Sequence, residues 1–204
     1  MMPVSTPYEL NGRTAQKQRT RNALIAAARQ LLADGETLTV EATADAADIS
    51  RTTAYRYFPN QRALLAASYP QVELTSLLPD DPPDDPTLRL DLAIERVLEL
   101  LIDAEPQLRA MLLLSLDGRE HSADELPLRQ GRVIPWLTEA LEPARAIVGD
   151  DVLRRLVLAI RAAVGIEALV WLVDVAGLSR AQAVEQMRWT ARLLLRAALA
   201  DADS

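Results

Sequence analysis

The sequence predicts an all-α fold, with a small N-terminal helix-turn-helix domain ahead of a larger helical domain. Three observations carry that expectation. Apolar residues recur at helical spacing along most of the chain, and no stretch alternates with period two. One loop, Pro79-Asp80-Asp81-Pro82-Pro83-Asp84-Asp85-Pro86, sets helix breakers among like charges and divides the sequence. With 204 residues, 50% of them hydrophobic and 25% charged, the chain can bury a sizeable core. The expected domains are residues 1–66, ordered from about residue 14, and 67–204.

The first expected helix runs from Gln16 to Asp34, its apolar stripe set by Leu24, Ala28 and Leu31 and flanked by Ile25 and Leu32. Gly35 stands where a left-handed cap is wanted. Thr39 caps a short helix over Val40–Ala47, Ser50 caps another over Arg51–Phe58, and Asn60 caps a fourth. Beyond the Asp-Pro loop, helical patterns run over 87–104, 107–117, 128–148, 151–176 and 180–202. Gly118, Gly149 and Gly177 fall near helix ends, and Pro106 and Pro127 near helix starts. Pro135 and Pro143 lie inside the 128–148 pattern, so that helix is expected to kink or split.

Composition removes several function classes. With no cysteine and one histidine, His121, the chain offers no disulfide framework, no thiol catalysis and no Cys/His zinc site; a reducing, cytoplasmic setting is expected. His121, beside Ser122-x-x-Glu125, reads as part of a loop entering a capped helix. The first ten residues carry no signal-peptide pattern. The longest apolar run, 156–176, is broken by Arg161, Glu167 and Asp174. Each such charge costs roughly 2.5–3.5 kcal/mol at the centre of a membrane, so a span is not expected. Dinucleotide, P-loop, nucleophile-elbow and zincin motifs are all missing, and Asp80-Asp81 sits in a loop unsuited to holding a working geometry. The expectation is a protein that is not an enzyme and needs no cofactor or metal.

The formal net charge of −7 hides a division. Residues 1–65 hold eight basic against six acidic groups, and the remainder fourteen against twenty-three. Counterion release answers to local cations, so a basic head on an acidic body is compatible with phosphate binding.

The informative stretch is 38–65. Two short helices meet across Ala47-Asp48-Ile49-Ser50, a turn of helix-turn-helix length. At about 100° per residue, Ala54 and Phe58 lie within about 40° of each other and can face a core. The opposite arc of the second helix carries Thr52 and Arg56 with Thr53 beside them, and Arg51 lies in its first turn. Short hydroxyls and a guanidinium at the front of a helix suit base edges in a major groove. Tyr55 and Tyr57, on either flank, suit phosphates on the groove walls. Three of the chain's eight aromatics fall within residues 55–58.

Thr39-Val40, Ala44, Ala47, Ile49-Ser50-Arg51 and Thr53-x-Tyr55-x-Tyr57-Phe58-Pro59-Asn60, followed by Ala63-Leu64-Leu65, resemble the DNA-binding segment of TetR-type transcriptional regulators. The resemblance covers roughly residues 20–66. It implies that Arg51, Thr52, Thr53 and Arg56 read bases, that Thr39, Tyr55 and Tyr57 contact phosphate, and that Phe58 anchors the core; Ser50 and Gln61 complete the expected DNA-facing set. The chain departs from the pattern at Thr43 and Ala54, which are smaller than usual, at Asp48 in place of a turn glycine, and at Gln61 in place of a phosphate-directed lysine.

The resemblance further implies a C-terminal domain that dimerises through its last two long helices and holds a small-molecule pocket. Met111, Trp136 and Trp171 are the candidate pocket residues. On the 151–176 helix, Leu158, Ala162, Gly165, Leu169, Leu172 and Ala176 share one apolar arc, opposite Glu167, Trp171 and Asp174. Glu185, Trp189, Arg192 and Arg196 align on the last helix. These two stripes are expected to meet within or across a dimeric four-helix bundle, acidic against basic. The expected function is a cytoplasmic homodimeric repressor, released from a palindromic double-stranded DNA operator by a small molecule. The alternatives are an all-α small-molecule-binding protein or enzyme with a vestigial helix-turn-helix, and a protein-interaction adaptor.

Overall fold

Helix caps and breakers punctuate the chain much as the sequence leads one to expect. The computed structural model describes residues 7–69, 74–116 and 133–202, with side chains from residue 14 onward. Every regular element among these residues is helical. They fall into two compact units, Met1–Pro70 with Leu113–Arg119, and Gln71–Leu112 with Glu120–Ser204.

The first unit is built on α1 (Pro7–Ala33), α2 (Val40–Ala46), α3 (Arg51–Tyr57) and α4 (Gln61–Ser68). α1 begins well before the expected Gln16. It ends in a Schellman turn, with the Gly35 N–H on the Leu32 carbonyl, the Glu36 N–H on the Leu31 carbonyl, and Gly35 at φ +74°. α2 ends the same way, but the left-handed residue is Asp48 at φ +53°. There the Asp48 and Ile49 N–H groups reach the Asp45 and Ala44 carbonyls. Three side chains start three helices. Thr39 Oγ1 accepts from the Ala42 N–H at 3.0 Å, Ser50 Oγ from Thr53 at 3.3 Å, and Asn60 Oδ1 from Ala63 at 2.8 Å.

The core of this unit is Leu24, Ala28, Leu38, Val40, Ala44, Ala54, Phe58, Leu64 and Leu65. Thr43, smaller and more polar than a core position usually takes, is fully buried, and its hydroxyl donates to the Thr39 carbonyl at 2.8 Å. Its polar atom is therefore satisfied within α2's own first turn.

The second unit contains α5 (Pro86–Asp103), most of α6 (Glu105–Ser115), α7 (Val133–Ala140), α8 (Arg145–Val148), α9 (Asp150–Ala163), α10 (Ile166–Val170) and α11 (Arg180–Ala202). The Asp-Pro loop is irregular, as expected, and its Asp85 caps α5. The 128–148 pattern does split, into α7, a 3₁₀ turn over Glu142–Ala144, and α8. The break falls at Pro143. Pro135 lies in the first turn of α7, where a missing N–H breaks no helical bond. Residues 117–132, with Gly118, His121, Ser122, Glu125 and Pro127, lie outside the described residues.

Two expectations for 151–176 fail together. The stretch is not one helix: α9 stops at Val164-Gly165, and α10 runs into a π-helical turn over Trp171–Val175. The break and the wider turn both reset the helical phase. Buried positions are consequently Leu153, Leu156, Val157 and Ile160, then Leu169 and Leu172, while Leu158, Ala162 and Ala176 of the expected arc are exposed. By length and apolarity alone 150–175 could cross a membrane, yet here it is interrupted and its buried side chains join the core. That core also takes Leu90, Ile94 and Leu98 from α5, Leu137 from α7, and the Ala183, Met187, Ala191 and Leu195 stripe of α11.

Candidate nucleic-acid interface

α3 is held by its own ends. Ser50 caps its start, and Ala54 and Phe58 bury one face. The guanidinium of Arg21 from α1 lies 5.7 Å from the Phe58 ring centroid, a cation–π contact on the anchor. With that face fixed inward, Arg51, Thr52, Tyr55 and Arg56 are exposed, and Thr53 and Tyr57 are half-buried on the flanks.

The exposed groups are not equally available. The Thr52 side chain makes no hydrogen bond among the described residues, and the Arg56 side chain there only stacks its guanidinium 5.8 Å from the Tyr57 ring. Arg51, by contrast, donates from Nη2 to Asp45 Oδ2 at 2.9 Å. Tyr55 donates its hydroxyl to the Glu41 carboxylate. These contacts pull three ionisations apart. The Tyr55 bond holds Glu41 below the usual carboxylate range, and the same bond raises Tyr55. The Asp45 contact holds Arg51 more firmly protonated.

Of the DNA-facing set expected from sequence, Ser50, Arg51, Thr52, Tyr55 and Arg56 are exposed and Thr39, Thr53, Tyr57 and Gln61 half-buried, and four members differ in detail. Tyr55 spends its only proton on Glu41, so in this arrangement it cannot donate to a phosphate. Ser50 donates to Thr53 Oγ1 at 2.9 Å, and so acts here as a cap and not as a free donor. Thr39 accepts as the α2 cap, and its hydroxyl also favours the ionised Glu41 carboxylate. Gln61 is half-buried at the first position of α4. Sequence reasoning missed Glu41 and Asp45. The signal was present: two acids one turn apart on α2, and Arg51 and Tyr55 one turn apart on α3.

The expected pocket and interface residues lie on the second unit. Trp136 is core, with its indole N–H on the Thr75 carbonyl at 3.2 Å, and Met111 is buried. Trp171 is 58% exposed at the start of the π turn. Glu167 lies 3.5 Å from Arg161, Asp174 is gripped by both terminal nitrogens of Arg109 at 2.5 and 3.0 Å, and Glu185 pairs with Arg188 on its own helix. Arg192 binds Asp91 of α5 through two bonds of 2.6 and 3.0 Å. Trp189 and Arg196 are exposed. Among the described residues no group of three or more His, Cys, Asp or Glu side chains could hold a metal ion.

Residues 24–68 match the family model described as bacterial regulatory proteins, tetR family. The chain is 34% identical over 90 residues to the HTH-type transcriptional repressor LfrR of Mycolicibacterium smegmatis, a match covering 44% of this chain and 48% of that protein. The chain thus spans about half the length of the curated relative it matches. A crystal structure of a TetR-family transcriptional regulator from Streptomyces coelicolor aligns with a TM-score of 0.45 at 24% identity, over 88% of this chain and 99% of that one. The family match spans all of α2, α3 and α4, the elements that place Thr52 and Arg56 at the surface.

Proposed function

We propose that the chain is a sequence-specific DNA-binding transcriptional regulator acting as a repressor, with α3 as the helix that enters the major groove. The observation that carries this is the Thr52–Arg56 arc, exposed and unclaimed by any carboxylate among the described residues, opposite the Ala54 and Phe58 anchor. Arg51, Thr52, Thr53 and Arg56 face the bases, and Thr39, Tyr57 and Gln61 face phosphates. Tyr55 joins them once Glu41 releases its hydroxyl.

The active form is a homodimer, because two recognition helices related by a two-fold axis match a palindromic operator. Large apolar side chains exposed on the second unit, Trp171, Val175, Trp189 and Leu193, support a second copy as the partner. A small molecule that binds the non-binding form better by a few kcal/mol is enough to release the operator. The setting is the cytoplasm, and the activity calls for no metal, cofactor or catalytic group.

The test is binding to the DNA flanking the chain's own gene across a salt series. Specific binding with a steep negative salt slope is expected; binding indifferent to salt and sequence refutes the proposal. Within that experiment Arg56→Ala loses about 1–3 kcal/mol and relaxes base preference at one position. Tyr57→Phe weakens all duplexes alike.

A further inference from the structure

We infer that Glu41 and Asp45 form a carboxylate rail along α2 that sets the specificity of the interface, by holding Tyr55 and Arg51 away from indiscriminate phosphate contact. The inference rests on the DNA-binding function proposed above and names two residues that determine its selectivity.

The two acids stand four residues apart on α2, and the two groups they hold stand four apart on α3, so the contacts form two matched rungs. Stability is a weak reason for them. The Arg51–Asp45 pair is 62% and 60% exposed, and exposed pairs contribute about 0–1 kcal/mol. Their position explains more. They occupy one flank of α3, while Thr52 and Arg56 on its front have no carboxylate partner among the described residues.

A duplex of any sequence offers phosphates first. On this flank a phosphate meets two negative charges, a phenol whose proton is already given, and an arginine already paired. Nonspecific binding loses those contacts and gains repulsion. A matched site fares differently. Arg51 uses only Nη2 on Asp45, so Nε and Nη1 stay free to donate to a base edge. The carboxylate then fixes the guanidinium plane while the free edge reads, and Asp45 acts as a positioning residue. The rail thus widens the gap between matched and random DNA, which is what specificity consists of.

The experiment compares the full-length chain with Glu41→Gln, Asp45→Asn and the double variant. The probes are a random-sequence duplex pool and the sequence that the unaltered chain enriches from that pool, read by fluorescence anisotropy across a salt series. The double variant is expected to bind the random pool roughly three- to tenfold tighter, with a salt slope steeper by about 0.9 for each phosphate contact released. Affinity for the enriched sequence changes less, so the ratio between the two falls. Thermal melts of the variants stay close to that of the unaltered chain, as exposed pairs require. Tyr55→Phe leaves the random-pool slope unchanged, because its proton goes to Glu41. Equal or weaker random-pool binding by the double variant, at an unchanged slope, overturns the rail and leaves the DNA-binding proposal standing. Failure of the unaltered chain to enrich any sequence overturns both.

Discussion

The polar contacts around α3 in the first unit and the ion pairs that tie distant helices of the second differ widely in reach. In the first, Arg51 finds Asp45 six residues away, Tyr55 finds Glu41 fourteen away, and the three caps act within one turn. In the second, Arg109 reaches Asp174 across 65 residues, Arg180 reaches Glu105 across 75, and Arg192 reaches Asp91 across 101. Local pairs are set by helical spacing, so they can be read along the chain. Distant pairs are set by how helices pack, which no single helix records. The difference teaches where function can be inferred from a sequence and where it must be seen.

The largest expected effects probe the two cores. Phe58→Ala removes the one large aromatic anchor of the first unit and should destabilise it by about 3–5 kcal/mol; Ile160→Ala, wholly buried in the second, should cost about 2–5 kcal/mol. Urea unfolding measures each total, and hydrogen exchange at 24–68 and at 90–195 shows where each loss falls. If Phe58→Ala left protection at 24–68 intact, the view of a small head closed on one anchor would be wrong.

Next comes the long-range network of the second unit. The Glu105 carboxylate is buried, accepting from Arg109 Nε at 2.7 Å and from Arg180 at 2.6 and 3.0 Å. Bonds of this kind to a charged group contribute about 1.5–3 kcal/mol, which is the loss expected for Glu105→Gln at neutral pH. The Arg180 bond, first among its causes, holds Glu105 below the ordinary carboxylate value of 4.5 in the folded state. The stabilisation is therefore fully present above the unfolded value and fades as pH falls through the lower folded one. Melts from pH 7 down to pH 3 should show the unaltered chain losing stability over that acid range more steeply than Glu105→Gln. Parallel profiles would exclude this carboxylate as a source of the acid sensitivity.

A smaller effect is expected at Arg192. Sequence reasoning set it in a stripe meeting its counterpart within or across a dimeric bundle, and the structure pairs it with Asp91 in the same chain. The pair is partly exposed, so Arg192→Ala should cost no more than about 1 kcal/mol and leave the sedimentation profile unchanged. A shift of that profile toward a lighter species would restore the interfacial role.

Much of the candidate site was legible in the sequence because each part of it is local. Thr39, Ser50 and Asn60 announce helix starts, Gly35 announces an end, and the Ala54 and Phe58 spacing fixes which face of α3 is outward. What escaped was the use made of those side chains. Glu41 and Asp45 were counted as charges and not placed against Tyr55 and Arg51. In the second unit the extended Val164-Gly165 break and the π turn at Trp171–Val175 defeat a 100° wheel drawn straight through them. An apolar run gives no sign of a phase reset, so Leu158, Ala162 and Ala176 were set on the buried arc although they are exposed.

The smallest expected effect tests the local side of the comparison most closely. α2 and α1 end in the same Schellman turn, but Asp48 occupies at φ +53° the place that Gly35 occupies at +74°. A left-handed backbone penalises an ordinary L-residue by about 1–2 kcal/mol, and less for aspartate, whose short polar side chain is tolerated there. Glycine would remove the strain but adds freedom to the unfolded chain, worth about 0.5–1 kcal/mol in the opposite direction. The two terms nearly cancel, with the folded-state gain ahead. Asp48→Gly should therefore stabilise the first unit by less than about 1 kcal/mol. It also takes one negative charge from the turn that leads into α3, so random-duplex binding should tighten slightly. A loss of stability would mean that the Asp48 side chain contributes more to this turn than its backbone angle takes away.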